Sequence, residues 1–341
     1  MSWTQYPKLR HNNQGLILIV VLWIIVMSLV MVTILASNAR LSATTVMHQQ
    51  EAVVNKAKLM SAINLAKMQL MIHFAPSGSQ ASANKANDLF DGRIVNLSYP
   101  LPADMVVRIY DLSGRISLSH LPRRKFKLIL DKLLTQNNIS DNDISSDSLL
   151  DAWQDWLDRD DLVRLNGAEK DYYQQQTPPY SPANSPLESI EELALIKGFA
   201  EVFSLVDMMD VFSIYGSSQK LNPNTASQSA LLLIPTMTQA LAEDIIKQRK
   251  QSPFKSISQF HNLFSAEQIN QIRPWFSLQT GHYFAIIVYP KKREKSAVQD
   301  NKGNKEFYVY QEFVQYRGTR KIPQTLRVYP MSHYTLASYL Q

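Results

Sequence analysis

Acidic side chains crowd one short segment near the middle of the chain. The six carboxylates of residues 155–171 are Asp155, Asp158, Asp160, Asp161, Glu169 and Asp171. The segment joins a predicted helix end to a loop that contains Gly167. Carboxylate oxygens at this density suit Ca²⁺, which takes roughly six to eight oxygen ligands in a flexible geometry. The spacing is not that of an EF-hand, so a solvated acidic helix end is the alternative interpretation.

A second candidate site begins at residues 222–226 (NPNTA) and extends to residue 260. This stretch resembles a helix-hairpin-helix unit, which often binds the DNA backbone through the amides of its hairpin. Such hairpins normally carry glycine, whereas residues 235–238 (PTMT) contain none, so the close phosphate approach that glycine permits is missing. The nearby basic side chains are Lys247, Arg249 and Lys250. The sequence therefore favours a helical module that packs against protein, with no nucleic-acid partner.

Patterns typical of enzymes do not occur in the sequence. The chain has no cysteine and seven scattered histidines. It lacks the Gly-x-Ser-x-Gly, His-Glu-x-x-His and P-loop motifs. Its net charge of +6 is modest and spread along the chain. We therefore expect a protein that is not an enzyme. The first alternative is a signal-anchored periplasmic hydrolase that uses the acidic cluster as a catalytic metal site. A DNA-binding uptake protein that uses residues 222–260 ranks lower, because its hairpin lacks glycine.

The elements that would position these residues begin with an apolar segment at residues 16–35, which carries no charge. At about 1.5 Å per residue, such a helix covers about 30 Å, the thickness of a bilayer core. The leader before it holds Lys8, Arg10 and His11 and is expected to stay in the cytoplasm. Three signals fit this layout: a cleaved signal peptide, an uncleaved anchor, or a prepilin-type signal cut after Gly15.

The segment that follows the apolar run favours the third signal. Residues 36–74 contain no proline or glycine, and apolar side chains recur at helical spacing. These side chains are Leu41, Val46, Val53, Leu59, Ile63, Ala66 and Leu70. One helix is predicted from the membrane segment to about Phe74, where residues 76–78 (PSG) end it. A cleaved signal peptide does not predict this continuation, whereas a signal anchor with an exposed stalk remains an alternative.

The remaining chain is predicted as strands, then helices, then strands. Extended segments are expected at 93–97, 106–110 and 115–118, and again at 283–289, 306–316 and 325–329. The intervening residues read as helices and loops. Strands on both sides of a helical block often share one sheet, so we expect the block to be an insertion.

Four stretches occur in the order typical of one known family. Gly15-Leu16 resembles a prepilin peptidase site, and residues 111–116 (DLSGRI) resemble an Asp-x-x-Gly-Arg strand turn. Residues 155–158 with 167–173 resemble the family's most specific motif, and residues 222–226 its Asn-x-Asn-Thr-Ala element. On these residues the chain resembles the minor pseudopilin K family of the type II secretion system.

The resemblance implies an α+β, pilin-like fold: a long N-terminal helix plus an antiparallel sheet, interrupted by a large all-helical domain. The implied organisation is a leader (1–15), a transmembrane and stalk helix (16–74), first core strands (75–120), an inserted helical domain (121–276) and second core strands (277–341). The insert would hold structural calcium at the six carboxylates and a helix-hairpin-helix or SAM-like unit. Leu16 would be the processed and N-methylated first residue.

The resemblance also implies a function and partners. Members form the tip of a periplasmic pseudopilus with minor pseudopilins I and J and help to initiate its assembly for export of folded proteins. The other implied partners are further pseudopilins, the prepilin peptidase and the inner-membrane secretion platform. The protein would cross the bacterial inner membrane once, with its globular part in the periplasm.

One position marks the subtype. Pilin-like subunits usually carry glutamate at the fifth mature position, where it can pair with the free α-amine of a neighbour inside the membrane. Counted from Leu16, the fifth residue here is Val20. Because a lone charge in lipid is costly, a subunit that enters the filament first has no use for this glutamate.

Overall fold

The structure of the protein is a computed structural model. It describes residues 14–75, 90–95, 97, 99–102, 105–139, 144–203, 206–291, 310–318 and 321–330. The chain divides into two compact units, Met1–Ala57 and Lys58–Gln341. The described α-helices are α1 (Gln14–His73), α2 (Arg123–Gln136), α3 (Ser146–Leu157), α4 (Lys170–Tyr173), α5 (Phe199–Phe203), α6 (Met208–Val211), α7 (Gln228–Leu232), α8 (Gln239–Gln251) and α9 (Ala266–Ile272). The strands are β1 (Asp91–Ile94), β2 (Met105–Asp111), β3 (Ile116–Ser117), β4 (Phe212–Ser213), β5 (Tyr283–Pro290), β6 (Tyr310–Gln315) and β7 (Gln324–Pro330).

Helix α1 begins at Gln14, next to the predicted cleavage glycine, and runs without a break to His73. Among the described residues it is the one helix long and apolar enough to cross a membrane. Apolar side chains between residues 17 and 54 are exposed, and Leu22 keeps 62% of its surface accessible. The long helix predicted from sequence is therefore confirmed. The predicted stop at 76–78 lies outside the described residues.

The last part of α1 belongs to the globular unit. Leu59, Ile63, Ala66 and Leu70 recur at helical spacing and are almost fully buried against strands of the sheet. This confirms that part of the predicted apolar stripe packs on the protein's own sheet. The second compact unit begins at Lys58, because these side chains bury their surface in the globular core.

An ion pair fixes the same part of α1 on the sheet. The Nζ atom of Lys67 lies 2.5 Å from Oε1 of Glu312 on β6. Lys67 also donates to Oγ1 of Thr325 on β7 at 2.9 Å. The Glu312 side chain is only 5% exposed, so its charge needs this partner to offset the loss of solvent.

Strands from both ends of the globular unit form one antiparallel sheet in the order β1-β2-β5-β6-β7. Since β2 and β5 are adjacent although the helical block separates them in sequence, the predicted shared sheet is confirmed. Val107, Ile109, Phe284 and Ile286 alternate toward the α1 side and form one apolar core with it. The helices between β3 and β5 build a separate, larger apolar core.

One predicted strand is wrong in extent. Residues 115–118 were expected to be extended, but only Ile116–Ser117 pair, in parallel, with Phe212–Ser213. Residues 118–120 form a 3₁₀ turn. The reason is the core: Ile116 and Leu118 are both buried among the helices and not in the main sheet. For β6, residues 306–309 of the predicted strand lie outside the described part of the chain.

Asp111 ties the end of β2 to the start of β5. Its Oδ1 accepts a hydrogen bond from the Ser113 amide at 2.8 Å, which caps the 3₁₀ turn Leu112–Gly114. Both of its oxygens accept from the Gly281 amide at 3.2 Å. Residues 222–226 meet the same turn, because the Asn222 amide donates to the Ser113 carbonyl at 2.7 Å. Residues 111–116 and 222–226, which both carry the family resemblance, are therefore hydrogen-bonded to each other in the fold.

The buried Asp111 carboxyl predicts a pH dependence of stability. Burial raises its pKa to about 6, although hydrogen bonds from Ser113 and Gly281 oppose the shift. Because the folded pKa exceeds the unfolded one, the stabilisation is complete below about pH 4 and is lost as pH rises through about 6. We expect wild-type protein to lose on the order of 2 kcal/mol between these pH values, and Asp111→Asn to lack this slope.

Chemical denaturation midpoints of the full chain across this pH range measure the effect. The matched control is Asp244→Asn, because Asp244 lies exposed on α8. A wild-type slope that persists in Asp111→Asn would contradict the assignment.

Candidate metal site in the acidic loop

Helix α3 positions the first carboxylate. Ser145 and Ser148 form a capping box at its start, which fixes where the helix begins. Leu149, Leu150 and Trp156 are buried, and the same helix face carries Asp155, whose surface is 0% exposed. The helix ends at Leu157, and the capping residue that follows is Asp158. Two acidic groups therefore lie at the buried end of α3.

The loop after α3 folds back onto Asp155. Its Oδ2 accepts hydrogen bonds from the backbone amides of Ala168, at 2.9 Å, and Arg164, at 3.2 Å. Gly167 makes this approach possible, because a Cβ there would lie 1.8 Å from the same oxygen. A glycine at this position is needed for the close contact, whatever the loop binds.

Arg164 is the cation that Asp155 and Asp158 share. Its Nη1 donates to Oδ1 of Asp155 and to Oδ2 of Asp158, each at 2.5 Å. These two hydrogen bonds raise the pKa of the guanidinium above its ordinary value. Sequence analysis missed this residue. The one available signal is that Arg164 is the first basic residue after the acidic run 158–161.

Glu169 is the carboxylate without a partner. The residue is only 3% exposed, and neither side-chain oxygen receives a hydrogen bond from the described residues. Oδ1 of Asp158 is likewise buried without a partner in that part of the chain. Burial raises the pKa of Glu169 to about 7, and the charges of Asp155 and Asp158 add to the shift. A buried carboxylate without a partner, close enough to Asp155 and Asp158 for their charges to raise its pKa, fits a cation-binding role, since it otherwise costs free energy.

The other three predicted ligands lie on the surface. Asp160, Asp161 and Asp171 are exposed, and Oδ1 of Asp160 accepts the Leu162 amide at 3.0 Å. The structure therefore brings Asp155, Asp158 and Glu169 toward one another and leaves the rest at the rim. Within the described ranges, no three acidic or histidine side chains stand close enough to hold a metal ion as they are. The six-carboxylate calcium site stays a prediction.

Aromatic rings form the wall behind these carboxylates. Trp156 and Tyr173 meet edge to face, with ring centroids 5.1 Å apart, and Tyr180 packs on Tyr173 at 5.3 Å. Nζ of Lys197 donates to the Gly167 carbonyl at 3.2 Å and closes the loop from the other side. The wall gives the site a low-polarity backing and supplies fluorophores near it.

The second candidate site is built for internal packing. Nζ of Lys132 on α2 donates to the carbonyls of Ile234 and Met237 in the hairpin between α7 and α8, at 2.5 and 2.9 Å. The Arg249 guanidinium donates to the carbonyls of Pro223 and Ala226, at 2.8 and 2.5 Å. Arg249 was grouped with Lys247 and Lys250 as a basic cluster, but this cation is bound within the fold because the 222–226 turn leaves carbonyls that need donors.

Asn224 shows what the Asn-Pro-Asn-Thr-Ala element does. Its side-chain amide donates to the Phe254 carbonyl at 2.9 Å, and its Oδ1 accepts the Phe254 amide at 2.8 Å. Asn224 is 6% exposed, so both hydrogen bonds are shielded from water. The element therefore joins the start of the helix-hairpin-helix region to the loop after α8 within the same region.

The predicted processing residues lie at the start of α1. Gly15 and Leu16 are helical, and their side chains are outside the described part of the structure. Val20 is 50% exposed on the same helix. Cleavage after Gly15, methylation of Leu16 and the subtype role of Val20 stay predictions.

Two family models match consecutive parts of the helical block. The family model for "Type II secretion system (T2SS), protein K" matches residues 118–205. A second model, "Helix-hairpin-helix motif", matches residues 216–277. The first match spans the acidic loop, and the second spans the joint made by Asn224 and Arg249.

Curated relatives carry the same family name. Type II secretion system protein K of Klebsiella pneumoniae is 24% identical over 157 residues, covering 44% of this chain and 48% of the relative. The putative protein K of Escherichia coli K12 is 30% identical, covering 42% and 46%. That of Aeromonas hydrophila is 37% identical over 78 residues, covering 23% and 22%. The matches thus span less than half the length of these relatives.

A solved structure extends the likeness to the fold. A chain of the GspK-GspI-GspJ complex from the type 2 secretion system of enterotoxigenic Escherichia coli matches with a TM-score of 0.57 and 15% identity, covering 85% of this chain and 99% of that one. The α+β fold class predicted from the sequence is confirmed by this likeness. The matched domain, the named relatives and the shared fold together show that the chain is similar to type II secretion system protein K.

Proposed function

We propose that the protein is a minor pseudopilin that forms the tip of a type II secretion pseudopilus with minor pseudopilins I and J. The observation that carries the proposal is helix α1, which presents apolar side chains over residues 17–54 and then buries Leu59 and Ile63 in its own core. Such a helix has one part for a membrane or partner helices and another that supports a globular head. The solved relative belongs to a complex of this composition.

The same helix supports an inner-membrane location. We propose a single crossing by residues 16–35, a globular part in the periplasm, and processing after Gly15 by the prepilin peptidase. A mature helix that starts at Leu16 has Val20 in its first turns, where an unpaired acidic side chain would cost free energy in lipid. A valine suits a subunit that enters the platform first and helps to initiate the filament ahead of the other pseudopilins.

We also propose a structural, non-enzymatic role. Among the described residues the polar clusters hold joints together: Asp111 caps a turn, Asn224 bridges two loops and Arg249 binds carbonyls. Each of these groups is occupied by partners of its own chain, as expected for a scaffold.

Co-purification tests the tip complex. Full-length protein, produced in a membrane host together with tagged pseudopilins I and J, should elute with both after detergent extraction. Recovery of all three as separate species at micromolar concentrations would count against the role.

The exposed stripe supplies a sharper variant. Val46 and Val53 are 60% and 69% exposed and lie seven residues apart on one helix face. The double substitution Val46→Ser, Val53→Ser should reduce recovery of the complex several-fold, because it removes apolar contact surface. His48→Ser, Asn55→Ser is the matched control on the opposite face and should leave recovery unchanged.

For the acidic loop we propose a structural calcium ion. The support is the buried, unpartnered Glu169 beside Asp155 and Asp158, at a loop whose Gly167 admits close backbone approach. These residues would hold the ion, with Asp160, Asp161 and Asp171 at the rim. A divalent cation converts the repulsion among the carboxylates into coordination and so stabilises the folded loop.

Calcium removal should therefore lower the melting temperature of the full chain. A ligand that binds only the folded state stabilises it by about 2.7 kcal/mol at a hundredfold excess over its dissociation constant. Glu169→Gln keeps the shape but removes the charge, so we expect its melting curve to be the same with calcium and with chelator.

Differential scanning calorimetry measures both curves. Glu267→Gln, at an exposed position on α9, is the control and should keep the wild-type response. Identical wild-type melting curves with calcium and with chelator would contradict the calcium proposal and favour a solvated acidic helix end.

A further inference from the structure

We propose that Arg164 is a tethered cation that competes with Ca²⁺ for Asp155 and Asp158, so that calcium binding requires its guanidinium to leave. The inference rests on the proposed calcium site and deepens it, by naming the residue of this chain that sets the affinity.

The competition follows from which oxygens are occupied. Oδ2 of Asp155 already accepts two backbone amides, which leaves Oδ1 as its available ligand atom. That Oδ1 is the atom to which Arg164 donates. On Asp158 the guanidinium takes Oδ2. A metal ion that bridged these two oxygens would lie where the guanidinium nitrogen lies, 2.5 Å from each, and two cations cannot share that position.

Glu169 explains why a single guanidinium is an incomplete partner. Arg164 carries one positive charge, whereas Asp155, Asp158 and Glu169 together offer three carboxylates. Both oxygens of Glu169 and Oδ1 of Asp158 stay without a hydrogen-bond partner among the described residues. A divalent ion with oxygen ligands all around it can take these remaining atoms, which a planar guanidinium held from one side does not reach.

The loop around Arg164 permits the exchange. The Arg164 side chain is 37% exposed, so its guanidinium has a path to solvent. Its neighbours Leu162, Val163 and Leu165 are 76%, 60% and 95% exposed and contribute little packing that would hold the loop. A calcium ion would replace the two hydrogen bonds from the guanidinium to Asp155 and Asp158. The bond from the Arg164 backbone amide to Oδ2 of Asp155 would stay.

Calcium titration of the full-length protein in detergent micelles tests the competition. Arg164→Gln should bind Ca²⁺ about tenfold more tightly than wild type, because the competing charge is gone. Arg164→Lys retains a positive charge without the planar fork and should fall between the two. The matched control is Arg159→Gln, which removes the same charge from an exposed position in the same loop and should behave as wild type.

Melting curves in chelator supply a second readout. Arg164→Gln should melt at a lower temperature than wild type without calcium, because Asp155 is 0% exposed and loses its cation. With excess calcium the difference should close. Terbium luminescence excited through Trp156 and Tyr173 reports occupancy at this wall and should rise at a lower Tb³⁺ concentration in Arg164→Gln.

The outcomes separate the two proposals. Equal or weaker calcium affinity in Arg164→Gln, with calcium still bound by wild type, overturns the competition and leaves the calcium site. An equal gain in Arg159→Gln overturns it too, because the effect would then be one of net charge. If neither wild type nor Arg164→Gln binds Ca²⁺ or Tb³⁺, the calcium site itself fails and the competition with it.

Discussion

Buried carboxylates must be matched by donors or cations, and this constraint governs how the globular unit is joined. Asp111, Asp155 and Glu312 are each no more than 4% exposed. Asp111 is met by amides of Ser113 and Gly281, which connects strands that the helical block separates in sequence. Glu312 is met by Lys67 of α1. Apolar burial supplies most of the driving force, but it is non-directional, so these polar contacts decide register and orientation.

Helix α1 carries two kinds of surface in one uninterrupted element. Over residues 17–54 its apolar side chains are exposed, whereas from Leu59 onward they lie in the core of the second unit. No change of secondary structure separates the two; what changes is the environment that each face can reach. A filament subunit of the proposed kind would need this arrangement, because partner helices and the membrane must use surface that the subunit does not bury itself.

Much of this was predictable, and the failures have a common physical cause. The length of α1, the shared sheet and the helical insert follow from periodicity and from the order of elements. The two-residue strand at Ile116 depended on Phe212–Ser213, far along the chain, and no local pattern announces such a partner. Arg249 was grouped with two neighbouring lysines and Arg164 was missed, yet both bind backbone or carboxylate oxygens within the fold. Local sequence states which side chains are charged, whereas tertiary packing decides which of them find partners.

Arg164 differs from a free ion because the chain holds its charge next to Asp155 and Asp158. Because the guanidinium is attached six residues from Asp158 and nine from Asp155, its effective concentration at the site is fixed by the loop and does not depend on the surroundings. The buried charge of Asp155 is therefore compensated at every calcium concentration, and the helix end can form without metal. At the proposed calcium site an ion would have to displace this guanidinium, so half occupancy would need more calcium than at the same carboxylates without Arg164.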